Sequence, residues 1–308
     1  MLRFLARRLV GACLVMLAVS FFTFLLLDLA PGDAADTLIG DVATVEQLEA
    51  LRHQLGLDVP LPLRYGQFLV GAMQGDLGVS VISGRPVAKL VAERFAYTLW
   101  LSLAAMTVAV GLGGLAGVAA AAQPRGFVDL VIMGMITLGQ ALPTFWLALM
   151  LMLVFGLTLG WVPIIGGGTL RHMILPTVAL SLPAAAVIAR LVRSSLLDVK
   201  GADYVRTARA KGLGPVAVWR RHLLPNSLVP VITMMGLYLG QMLGGAFIVE
   251  TIFGWPGLGR LMVQAIFDRD LPVVLGAVLL IAVIVQLLNI MVDLAHAWLD
   301  PRVGAEAV

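Results

Sequence analysis

Long uncharged stretches alternate with short charged ones along the chain. Residues 9–27, 95–124, 130–170, 173–189, 223–249 and 271–292 contain no Asp, Glu, Lys or Arg. About 20 apolar residues in a helix cross the ~30 Å hydrocarbon core of a bilayer, so each run is a candidate span. The run 130–170 exceeds one crossing but is too short for two crossings and a turn. With Pro143 inside it, the run predicts one helix kinked at that proline. It stops ahead of a turn-rich segment at 161–168, where three glycines follow one another. The predicted fold class is an all-α polytopic membrane protein with six transmembrane helices.

The segment between the first two runs has its own pattern. Thr44 and Gln47 have capping-box spacing, and Val45, Leu48, Leu51 and Leu55 recur at helical intervals before Gly56, which suits a helix end. Pro62 can open a second short helix through Val70, Val79 to Ser83 reads as extended, and Pro86 starts an amphipathic helix carrying Val87, Leu90 and Val91. This patterned loop is either a lid over its own helices or a docking surface for an external partner. The resulting division is a first helix at 1–30, a partly helical outer loop at 31–94, a core at 95–298 and a tail at 299–308.

Composition and charge sharpen this picture. Apolar residues make up 60% of the chain and charged ones 13%, against about a quarter in soluble domains, and mean hydropathy is +0.98. The formal net charge of +3 carries no nucleic-acid signal, because the basic residues segregate by membrane side. Of the 21 Lys and Arg, Arg3, Arg7, Arg8, Arg125, Arg190, Arg193, Lys200, Arg206, Arg209, Lys211, Arg220, Arg221 and Arg302 fall on one side. That bias places both termini in the cytoplasm, and the apolar run 9–27 reads as a retained helix rather than a cleaved signal. A single cysteine, Cys13, excludes an intrachain disulfide.

Bond-making chemistry has no foothold in the sequence. The lysines are Lys89, Lys200 and Lys211, and none sits in a phosphate-binding glycine loop. His53, His172, His222 and His296 lack metal-ligand spacing, and no nucleophile elbow is present, so no catalytic residue, metal or cofactor is expected on this chain. Asp28, Asp129, Glu250 and Asp293 flank apolar runs rather than interrupting them, which argues against an ion-coupled carrier. Gly113 with Gly117, and Gly236, Gly240 and Gly244, are spaced for close helix packing, within the chain or against another subunit. Gln140, Thr144, Ser181 and Gln241 are polar positions inside runs. Each either packs or lines a solute path, and the pair beside Pro143 is the best path candidate.

The longest charged segment between two spans, 197–224, contains a short amphipathic helix that Gly212, Gly214 and Pro215 stop sharply. A second short helix can lead back into the membrane at Pro225. Arg206-Thr207-Ala208, Gly212 and His222-x-Leu224-Pro225 resemble the "EAA" loop of ABC-importer permeases, with Arg206, Thr207 and His222 replacing the usual Glu, Ala and Ile. Those departures are similar to the dipeptide/oligopeptide/nickel permease family. So are Arg7-Arg8-Leu9, Pro31-Gly32-Asp33, Gly75-Asp76-Leu77-Gly78, Gly254-Trp255-Pro256-Gly257 and Asp300-Pro301-Arg302. The long outer loop resembles the first of that family's two paired permeases.

The resemblance implies a type I ABC-importer transmembrane domain in the bacterial inner membrane. It implies a second homologous permease, two cytoplasmic ATPase subunits that hydrolyse the ATP, and an extracytoplasmic solute-binding protein. Tyr204, Arg206, Thr207, Ala208, Arg209, Lys211, Gly212, His222, Leu224 and Pro225 would be its ATPase-coupling residues. The cargo it implies is a di- or oligopeptide, with nickel or glutathione as alternatives. A non-transport scaffold or receptor using the loop as a platform is the competing class.

Overall fold

The computed structural model describes residues 2–29, 45–54 and 58–299. Thr44 and Gly56, the expected boundaries of the first loop helix, lie outside them. Contacts divide the described residues into two compact units, one built from those up to 98 with 256–287, the other from 99–255 with 288–299.

In the first unit, α1 (Leu2–Leu29) is the first apolar run, and α2 (Val45–Gln54) is the first loop helix. Pro60, extended at φ −54° and ψ 137°, leads into α3 (Leu61–Met73), where Pro62 occupies the first turn and forfeits no helical hydrogen bond. α3 lies on α1 through Tyr65, whose hydroxyl donates to Leu17 O at 3.1 Å and stands 3.0 Å from Ser20 Oγ. Its ring meets Phe21 and Phe24 edge-on at 5.5 and 5.7 Å. Arg64 pairs with Asp28 at 2.9 Å.

The segment expected to be extended from Val79 to Ser83 is not a strand. Val79 alone bridges Pro86, and the chain turns at 81–83. The turn is set by Asp270, which is buried and accepts from Ser80 Oγ at 2.5 Å and from the backbone N–H of Val81 at 3.2 Å. α4 (Val87–Ala122) follows, and its Val87, Leu90 and Val91 pack with residues of α12 (Leu258–Phe267) and α13 (Leu271–Leu299), as the amphipathic spacing requires. A Cβ on Gly276 would stand 2.5 Å from Val87 Cγ1, so this core closes only around a glycine.

The second unit is organised by α7 (Leu170–Lys200), which packs against α5 (Phe127–Ala141), α6 (Thr144–Leu151), α10 (Leu224–Gly245) and α11 (Phe247–Phe253). Small buried side chains on α7 (Ala179, Ala184, Ala185, Ala186 and Ala189) let these neighbours approach closely. Pro176 and Pro183 sit inside the helix without ending it. Glu250, at the edge of an apolar run in sequence, is fully buried in α11.

Among the described residues, four helices are long and apolar enough to cross a membrane, and two bent pairs bring the number to six if each pair is one span. The pair 127–141 and 144–158 departs from expectation. Instead of a kink, the axis turns by 102°. Leu142 is extended at φ −83° and ψ 127°, the conformation a following proline imposes, so α5 terminates and α6 starts afresh. α6 runs into a π-helical turn, Met152–Thr158.

Candidate functional site

α8 (Asp203–Ala210) carries the charged loop and buries Val205 and Ala208 while exposing Arg206, Thr207, Arg209 and Lys211. Its end is closed by two backbone bonds: Gly212 N–H donates to Arg209 O at 2.9 Å, and Leu213 N–H reaches back to Ala208 O at 3.3 Å. This pairing needs a left-handed residue after the last helical turn, and Gly212 supplies φ +81°. Leu213 then packs against the same core as Ala208.

Pro215 opens α9 (Pro215–Val218), which passes through a π-helical turn, Trp219–Leu223, into α10. Val218 and Leu223 are buried, so the second limb is pinned to the core as the first is. Pro225 is the second residue of α10, directly after that π-helical turn. The Tyr204 and His222 rings lie 6.5 Å apart across the two limbs.

The expected coupling residues therefore separate by face. Tyr204, Arg206, Thr207, Arg209, Lys211, Gly212 and Pro225 are exposed, His222 and Leu224 are half-buried, and Ala208 is only 5% exposed. Arg220 and Arg221 extend the basic face, lining an open hollow of about 640 Å³ with Gly214, Pro215 and Val216. The positive-inside count had included those two arginines but assigned them no site role. The outward surface of a loop anchored by a buried apolar row is thus basic and continuous over both limbs.

Within the membrane-embedded part, Gly113 and Gly117 pack inside the chain. Added Cβ atoms would lie 2.5 Å from Ala185 O and 2.6 Å from Ala189 O, so α4 and α7 touch backbone to backbone. Gly236 is closed off by Val292, and Gly240 faces open space. Gly244 is half-buried. Ser181 is buried and bonds Val178 O, and Gln241 is exposed. Gln140 accepts from Arg190 Nη2 at 2.6 Å beside the α5–α6 break, where Thr144 is half-buried.

A second arginine pairing escaped the sequence reading. Arg193 makes a two-bond fork to Asp129, with Nη2 at 2.6 Å from Oδ2, and Asp129 also accepts from Arg125 N–H at 2.8 Å. The residue types were visible, but their distance in sequence hid the pairing.

Residues 113–305 match the family described as "Binding-protein-dependent transport system inner membrane component", and 1–104 match its N-terminal companion. The chain belongs to this family. The permease is 42% identical over 303 residues to a "Glutathione transport system permease protein GsiC" of Escherichia coli O6:H1, covering 98% of this chain and 99% of that one. A relative of the same description from Pectobacterium atrosepticum is also 42% identical, and one from Salmonella typhi is 41% identical, with the same coverage. Among solved structures, an inward-facing MetNI methionine ABC transporter superposes with a TM-score of 0.54 at 19% identity, covering 71% of the permease and 96% of that chain. An amino acid ABC transporter gives 0.52 at 19% identity, covering 70% and 94%. The permease is a membrane-embedded, non-enzymatic subunit of an ABC importer, in agreement with the sequence resemblance.

Proposed function

We propose that the permease forms half of a translocation path for short peptides, with glutathione the first cargo to test. Its partners would be a second homologous permease, two cytoplasmic ATPases and an external binding protein. The cargo reading rests on the near full-length similarity to glutathione permeases. The carrying observation for coupling is the 203–225 loop, whose basic outer face is rigidly tied to α7 and α10 through Val205, Ala208, Val218 and Leu223. Movement of ATPases docked on that face would be passed to both helices rather than absorbed in a slack connector, biasing the path between inward and outward states. The lysine and arginine bias supports an arrangement in which this loop and both termini are cytoplasmic.

Cysteine labelling tests the reading. Ala208 is a poor probe because it is buried, whereas Ala210 is exposed on the same helix. In a Cys13→Ser background, Ala210→Cys is expected to react with a membrane-impermeant reagent from the inner side only, and assembly with the ATPases to protect it. Val79→Cys, exposed in the outer segment, is expected to react from the outer side with or without ATPases. Outer labelling at 210 would invert the arrangement, and unprotected inner labelling would remove the docking role.

A further inference from the structure

The break between α5 and α6 and the arginine beside it belong to one patch. Ala141, Leu142 and Pro143 are exposed and non-helical or at a helix end, inside a stretch that is otherwise uncharged from 130 to 170. Hydrocarbon does not tolerate irregular backbone, so such a break must face protein or an aqueous cavity. Arg190 is exposed at the same place and donates to Gln140 Oε1 at 2.6 Å.

The direction of the Arg190 side chain matters. Arg193, one turn further along α7, holds Asp129 near the start of α5. Gln140 lies eleven positions further along α5, about 16 Å by helical rise, roughly half the ~30 Å apolar core. Side chains lean toward the N-terminus of their helix, so Arg190 leans away from the Arg193 end and into the membrane-embedded region. A snorkelling arginine would point the other way. Among the described residues, no carboxylate is within ion-pairing distance of Arg190. Its protein partner is a neutral amide oxygen, which orients the guanidinium and leaves its charge uncompensated.

We propose that Arg190, held by Gln140 beside the α5–α6 break, is a specificity-determining cation of the path that receives a carboxylate of the passing cargo. This rests on the peptide-import reading above. Every unmodified peptide has a C-terminal carboxylate, and glutathione has two carboxylates and one ammonium. A planar guanidinium can meet a carboxylate through two parallel bonds, which a lysine cannot reproduce. Gln140 is the positioning residue.

The test compares uptake of glutathione with that of its glycine carboxamide by the complete importer in vesicles with its binding protein. The wild type is expected to favour the acid, and Arg190→Gln to reduce the acid-to-amide ratio roughly tenfold, the worth of a charge-assisted bond. Arg190→Lys should keep part of the preference, and Gln140→Leu should lose part. Selection by the binding protein is common to all variants and cancels from the comparison. An equal fall for both cargoes in Arg190→Gln would mark a structural residue and overturn the inference alone. A wild type that imports neither cargo would overturn the glutathione reading and this inference with it.

A second measurement is independent of cargo. Leu142→Cys in the Cys13→Ser background is expected to react with a charged, membrane-impermeant thiol reagent in the assembled importer. Failure to react would place the patch against lipid or protein and overturn the inference.

Discussion

Gly212 is the residue on which the charged loop at 203–225 turns. A Cβ added there would meet nothing within 4 Å, so any penalty for substitution comes from φ +81° and not from crowding. Gly212→Val is therefore expected to cost about 1 kcal/mol or more, whereas Gly212→Asn, which tolerates the left-handed region, should cost less. The loop would reopen while the spans still insert. The measurement is ATPase stimulation and uptake, normalised to membrane-inserted protein: valine should lower both, and asparagine should stay close to wild type. Equal activity in the two variants would detach Gly212 from coupling. This residue was legible in sequence because the turn is local: a glycine after an amphipathic segment, followed by Gly214 and Pro215, has few other conformations open to it.

At the scale of elements, the Asp129–Arg193 fork ties the start of α5 to α7. The Asp129 side chain is 5% exposed and that of Arg193 24%, so removing the arginine strands the carboxylate away from water. Arg193→Met alone is expected to lower the detergent melting temperature more than the double change Asp129→Ala with Arg193→Met. An additive double-mutant cycle would mean that the pair does not couple. Such contacts are hidden from a single sequence, since nothing local connects positions 64 residues apart. The α5–α6 break was half legible for a related reason. Pro143 announces an interruption, but whether the chain kinks or turns through 102° depends on what the new helix can pack against. Here α6 finds α7 and α11. Between α3 and α4, Val79 to Ser83 has strand-like residues but becomes a turn, because Asp270 supplies the hydrogen bonds that a neighbouring strand would have supplied.

For the whole molecule, the absence of a phosphate-binding loop from the sequence carries an expectation of its own. The purified permease should neither hydrolyse ATP nor bind it at micromolar concentration, and hydrolysis should appear only on adding the ATPase subunits. Saturable nucleotide binding to the isolated chain, measured by calorimetry, would contradict this. Fold class was legible at this scale because membrane insertion writes it as run length, and the family was legible in the motif at 206–225; the six expected spans compare with four to six among the described residues. The division into two units was not, because the first recruits residues 256–287 across a long sequence interval.

That interval sets a timetable for biosynthesis. Ser80 is synthesised 190 residues before its partner Asp270, roughly 10–40 s earlier at ordinary elongation rates. Val87 and Val91 wait as long for Val273 and Val274. Through that period the turn at 81–83 has no carboxylate to close on, and the apolar face at the start of α4 lacks its cover from α13. A nascent permease stalled or truncated before residue 270 would thus keep this turn unclosed and leave exposed an apolar face that the complete chain covers.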